Sequence, residues 1–147
     1  MRTQAEKVPT SLGLANSLGR PDGAGAVSLE VEMPMQIVSA PVLLDELRRM
    51  AGRQFGDFVK AVVDVQRGVM AIGGELHADE EALLLQHGAR QADLWGVNLY
   101  PDRPTAELIE FDSLINVRPS RGNRSRGVED VAVQRQIQDI VRRLLVP

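Results

Sequence analysis

Apolar and polar residues begin to alternate with a regular period only after Met35; before it, Gly13, Gly19, Gly23, Gly25, Pro9, Pro21 and Pro34 interrupt a Ser-, Asn- and Thr-rich stretch with no sustained period. Residues 1–34 are therefore expected to be a flexible N-terminal extension, with Ser11 to Leu18 as a local helical turn and Val27 to Met33 as an extended piece on an edge. Residues 35–147 are expected to form one domain. Within it, Gln36 to Ser39 predicts a strand. Leu43, Leu44, Leu47, Met50 and Ala51 then recur at helical spacing after Pro41, with Gly52 and Gly56 marking the exit. Val59 to Gln66 and Val69 to Leu76 predict a hairpin turning at Arg67 and Gly68. In that register Val63 faces Ile72, Ala61 faces Gly74 and Lys60 faces Glu75, so that one face is apolar throughout.

Asp79 to Gln86 predicts a short helix with acids in its first turn and Gly88 as its stop. Leu94 to Tyr100 and Leu108 to Arg118 predict two further strands around the Pro101 to Ala106 turn. A polar loop from Pro119 to Gly127 leads into a closing helix, Val131 to Leu145. Its buried stripe is Ile137, Ile140, Val141, Leu144 and Leu145, and Asp130 is its N-cap. The order β-α-β-β-α-β-β-α predicts an α+β fold, a mainly antiparallel sheet with helices packed on one face.

Composition narrows the function classes. With 147 residues, 44% hydrophobic and 25% charged, the chain can bury a core and is too short for two ordinary domains. The absence of cysteine removes disulfides, thiolate metal sites and cysteine nucleophiles. A net charge of −3 gives no global attraction to nucleic acid or anionic lipid, and no apolar run reaches membrane-spanning length. A cytoplasmic location without membrane association is expected, with nucleic acid disfavoured as a partner. No nucleotide-binding glycine motif, nucleophile elbow or kinase signature occurs, and nothing names a cofactor.

Three groups of residues could carry chemistry. Glu75, His77 and Asp79 project from one face if the strand persists to residue 79, a carboxylate and imidazole set suited to acid/base work or a divalent metal. Against this, Asp79, Glu80 and Glu81 would be favoured in a first helical turn without any function, and Glu75 would pair with Lys60 across the hairpin. Asp64 is read as a solvated hairpin residue, since four further pairs along the strand put Glu75 about 13 Å away, too far to share an ion. The loop RPSRGNRSR offers Arg118, Arg121, Asn123, Arg124 and Arg126 as groups for phosphate or carboxylate, or as partners for nearby acids. On the second hairpin Asn98, Tyr100, Asp112, Asn116 and Arg118 form a polar face richer in directional hydrogen-bonding groups than solubility requires.

The segments VKAVVDVQRGVMAIGGELHADEEALLL, LWGVNLYP and EFDSLINVRPSRGNRSRGVED resemble a small prokaryotic family of unknown function, over roughly Met35 to Pro147. That resemblance implies no activity, substrate or cofactor. The residues themselves favour binding of a small anionic ligand by Arg118, Asn123, Arg124 and Arg126 with Asn98, Tyr100 and Asp112. Glu75, His77 and Asp79 would add hydrolase-like chemistry, and whether the protein is an enzyme is left open. The alternative is a non-enzymatic interaction module or homodimer. The arginine loop is expected to fold back so that Arg124 or Arg126 meets Glu75, Asp79 or Glu80.

Overall fold

The computed structural model describes residues 35–147, so the expectations for residues 1–34 lie outside the described part. The elements are β1 (Gln36–Val38), β2 (Val42–Leu43), α1 (Leu44–Arg53), β3 (Val59–Asp64), β4 (Val69–Ile72), α2 (His77–Gln86), β5 (Leu94–Leu99), β6 (Ile109–Glu110), α3 (Val131–Leu144) and β7 (Leu145–Val146). Five strands form one sheet in the order β1-β4-β3-β5-β6, every neighbour antiparallel, and β2 and β7 make a separate parallel pair. The class is α+β with a mainly antiparallel sheet.

One part of the expectation is corrected: the helices cover both faces. Val59, Ala61 and Val63 of β3, with Val97 and Leu99 of β5, pack against Leu47 and Met50 of α1 and Ile137, Val141 and Leu144 of α3. The alternate positions Val62 and Ala71 are also apolar, and they pack with Leu94 against Leu84 of α2 on the other side. A central strand that is apolar at both parities needs cover on both faces; each large apolar side chain so buried stabilises the fold by about 1.5–3 kcal/mol. The α3 stripe is buried as its periodicity predicts, and the Asp130 carboxylate accepts from the Ala132 N–H at 2.9 Å as the N-cap. Among the described residues no helix is long and apolar enough to cross a membrane.

The β3–β4 register differs from the expected one by two residues. Val63 pairs with Met70 rather than Ile72, and Asp64 with Val69, so the turn is the four-residue loop Val65 to Gly68. Asp64 sets it. Its side chain is 1% exposed, and Oδ1 accepts from the backbone N–H groups of Gln66 and Arg67 at 3.0 and 3.1 Å. Gly68, at φ 71°, donates back to the Asp64 carbonyl at 2.9 Å. Asp64 is thus a buried turn-former and not a solvated residue. A shift of two leaves every side chain on its original face, which is why the apolar pattern is satisfied by either register. Lys60 consequently faces Asn98 on β5 rather than Glu75, which lies past the end of β4.

The expected strand Leu108 to Arg118 is also corrected. Only Ile109 and Glu110 pair with β5, after which the chain turns through a 3₁₀ segment, Leu114–Asn116, whose start is capped by Ser113. Side chains then do the work of the missing strand along β5. Asn116, 0% exposed, accepts from the Gly96 N–H at 2.8 Å and donates to the Gly96 carbonyl at 3.0 Å. Arg118 donates to the Leu94 carbonyl and, at 3.1 Å, to the Ile115 carbonyl, with its guanidinium 4.8 Å from the Trp95 ring centre. Buried peptide groups must be paired, and an Asn amide presents the same donor and acceptor as a peptide unit.

Candidate functional site around His77

Helix α2 starts at His77, two residues earlier than its acids suggest, and this separates the expected trio. Glu75 and Asp79 are exposed and line an open cavity with Gly74. His77 turns the other way, onto the sheet, and shares its helix face with Glu80 and Leu84 at i, i+3 and i+7; all three are buried.

Gly96 makes room for the imidazole. A Cβ there would lie 3.2 Å from His77 Cγ and 2.6 Å from Ser113 Oγ. His77 is 8% exposed and its Nε2 stands 2.8 Å from the Val97 carbonyl oxygen. A carbonyl can only accept, so neutral His77 carries its proton on Nε2 and keeps a lone pair on Nδ1. Burial holds the imidazole below its ordinary value of 6.5, against the raising effect of the Val97 hydrogen bond. Three side chains add their charge: Lys60 and Arg126 disfavour protonation and Asp112 favours it. Lys60 stands on β3, one strand inward of β5, while Arg126 is tied by Nε to Asp112 Oδ1 at 2.6 Å, beyond β6.

Glu80, 0% exposed, sits one turn further along. Its Oε2 accepts from the Gly74 N–H at 2.9 Å, and Oε1 is enclosed without a hydrogen-bond partner. Burial pushes this carboxyl well above 4.5; the Gly74 N–H and Lys60 oppose the rise and Asp79 adds to it.

On the sheet side, Asn98 donates to Glu110 Oε1 at 2.8 Å while its own carbonyl oxygen is enclosed and unpartnered. Tyr100 donates to the same Glu110 oxygen at 3.1 Å. The Tyr100 ring lies 5.2 Å from Phe58, which stacks on Phe55 at 4.8 Å, and Arg103 and Lys60 cap the two ends of this ladder at 3.5 and 5.2 Å.

The arginine loop divides. Arg118 is committed to backbone carbonyls of its own neighbourhood. Asn123 is buried and organises the loop: it donates to the carbonyls of Asn116, Ser125 and Gly127 at 2.8, 3.1 and 2.8 Å and accepts from the Glu129 N–H at 2.9 Å. Arg124 is exposed, and its backbone N–H, with that of Ser125, donates to the Glu129 carboxylate at 2.9 and 2.8 Å. Of these residues Arg126 lends its charge to the surroundings of His77, and its ion-pair partner is Asp112 rather than Glu75, Asp79 or Glu80.

Sequence reasoning named Glu80 only as a first-turn acid and expected arginine partner and Lys60 only as the partner of Glu75, and it did not bring out the aromatic ladder. The signal for Glu80 was present, since positions 77, 80 and 84 form one helical stripe ending on a leucine. Among the described residues no three His, Asp, Glu or Cys side chains group as ligands for a metal ion.

Comparison with known proteins places the chain in a family: residues 36–144 match the family described as "Protein of unknown function (DUF5674)", and the chain belongs to it. No curated protein and no solved structure matches it.

Proposed function

Proceeding from membership in a family of unknown function, we propose that this domain binds a small phosphate- or carboxylate-bearing molecule over His77, with Lys60 and Arg126 as its charged partners. What supports this reading is the grouping of Lys60 on β3 and the Arg126–Asp112 ion pair near an imidazole that burial keeps below its ordinary value. An unprotonated imidazole beside Lys60 leaves the attraction of an anion to the lysine and to the exposed guanidinium of Arg126, and its Nδ1 can take a proton from a bound hydroxyl or water. Asp112 positions Arg126, and Glu110 fixes Asn98 and Tyr100 as one wall of the site. Hydrolase-like acid/base chemistry at His77 is the finer form of the proposal. Arg118 and Asn123 support the loop that carries Arg126 and do not themselves meet the anion.

The test is thermal shift with inorganic phosphate and with acetate at constant ionic strength. A saturable rise in Tm is expected for the parent and its loss in Lys60→Ala and in Arg126→Ala, both of which keep the fold because neither side chain is fully buried. Identical responses in parent and variants would overturn the proposal. The rival reading, association with a second copy, would give a doubled mass in light scattering and no response to either anion.

A further inference from the structure

The sheet face that α2 crosses continues past the start of the helix. His77 stands over Gly96, and the next two positions along the chain on that face are Asn98, in β5, and Tyr100, just beyond it. From Gly96 to Tyr100 the chain advances about 13 Å at ~3.3 Å per residue. Across the sheet Lys60 pairs with Asn98 and Asn98 with Glu110, so these three share the face. Tyr100 belongs to the aromatic ladder, whose Arg103 end is closed at 3.5 Å and whose other end is Phe55, 38% exposed. The Lys60 ammonium lies 5.2 Å from the Phe55 ring centre, and the same ammonium acts on His77, so one cation joins the ladder to the imidazole.

Between the two lies an unused acceptor. Asn98 is 8% exposed, and its Nδ2 donates to Glu110 Oε1 at 2.8 Å on the β6 side. Oδ1, on the opposite arm of the planar amide, is therefore turned away from β6, to the side on which Lys60 is the cross-strand partner, and it has no hydrogen-bond partner.

We propose that the anion received near His77 is the phosphate of a nucleoside monophosphate, with its base on Phe55, its ribose at Asn98 and its phosphate between Lys60 and Arg126. This rests on the reading of the His77 region as an anion site and names the molecule that carries the anion. Aromatic ring, free carbonyl acceptor and cations follow one another along the face in the order of base, sugar and phosphate. A base stacks on the outer side of Phe55 as Phe58 does on the inner, where the rings are 4.8 Å apart and 9° from parallel. A ribose hydroxyl donates to Asn98 Oδ1. The phosphate is a stronger partner for an ammonium than a phenyl ring is, so it draws Lys60 off Phe55 and clears the ring face for the base. The chain has no glycine-rich phosphate loop, so ring stacking on the sheet must supply the affinity that such a loop would otherwise provide.

The experiment is isothermal titration of the full chain with AMP, 2′,3′-dideoxy-AMP, ribose 5-phosphate and inorganic phosphate at constant ionic strength. AMP is expected to bind roughly tenfold or more tighter than ribose 5-phosphate, and the dideoxy form, which lacks the hydroxyls offered to Asn98, more weakly than AMP. Phe55→Ala changes an exposed side chain; it should bring AMP down to the level of ribose 5-phosphate and leave the phosphate response in place. Phe55→Tyr keeps a ring and should keep the preference for AMP, whereas Lys60→Ala should lose all four ligands. A Lys60-dependent phosphate response with AMP no tighter than ribose 5-phosphate would sink the nucleotide assignment and leave the anion site standing; no binding by any of the four would sink both. AMP binding unchanged in Phe55→Ala, or equal binding of AMP and its dideoxy form, would refute the assignment. So would a single-stranded oligoadenylate that binds more tightly than AMP with steep salt dependence, since the ligand would then be a nucleic acid.

Discussion

Replacing Asn116 with Ala removes the side chain that stands in for a strand beside β5. Three hydrogen bonds go: from Gly96 N–H to Asn116 Oδ1, and from Nδ2 to the carbonyls of Gly96 and Arg126. They are not equivalent. The Arg126 carbonyl also accepts from the Ser113 N–H at 2.9 Å and stays satisfied, whereas the outward-facing groups of Gly96 meet Asn116 where β6 has already ended. Two buried peptide groups left without partners cost about 1–3 kcal/mol each, so the loss is about 2–6 kcal/mol. At about 4 °C per kcal/mol for a domain of this size, that lowers Tm by roughly 8–24 °C. Urea denaturation followed by circular dichroism and by the fluorescence of Trp95, the neighbour of Gly96, measures it. Asn116→Asp is the control: it keeps the acceptor for Gly96 N–H but sets a carboxylate oxygen against two carbonyls, and it should be no more stable than the Ala variant. A loss below about 1 kcal/mol in Asn116→Ala would refute the reasoning, because it would mean that water or a shifted backbone serves Gly96 equally well.

Glu80→Gln should be more stable than the parent by an amount that grows with pH. The raised value of Glu80 means that the folded chain holds a proton which the unfolded chain gives up near 4.5; its contribution is present below that point and is lost as pH rises toward the folded value. A stability gap between parent and variant that stays constant from about pH 4 to about pH 8 would show that Glu80 titrates alike in both states. Asp64→Ala should cost about 1–3 kcal/mol through the unpaired N–H groups of Gln66 and Arg67, and Asp64→Asn, which retains an acceptor, distinctly less; chemical denaturation of the pair checks the turn. Arg118→Lys should cost about 1–2 kcal/mol, since one ammonium cannot reach the Leu94 and Ile115 carbonyls together while covering Trp95, and it should alter Trp95 fluorescence.

Elements whose side chains meet one continuous apolar surface were legible in the sequence. The stripe of α3, the Asp130 cap and the runs that become β3, β4 and β5 follow from period and capping chemistry, because those are local consequences of burying one face. What the pattern could not resolve is whatever leaves that pattern unchanged. A two-residue slip of β4 keeps every side chain on its face, so only the buried Asp64, holding a four-residue turn, selects the register. Val62 and Ala71 signalled a second apolar face, yet which helix covers it depends on where α2 begins. Asn98, Asn116 and Asn123 are identical as letters and read alike as polar surface or ligand-binding groups. In the folded chain one keeps an enclosed carbonyl beside the His77 region, one replaces a strand and one braces a loop. Which role each takes depends on where β6 stops and which peptide groups it leaves unpaired. The same holds for the site: His77 was visible as a candidate and Glu80 lies one turn along the same helix, but Lys60 and Arg126 come from two distant stretches of chain, and only the packing of α2 on the sheet brings them near that imidazole.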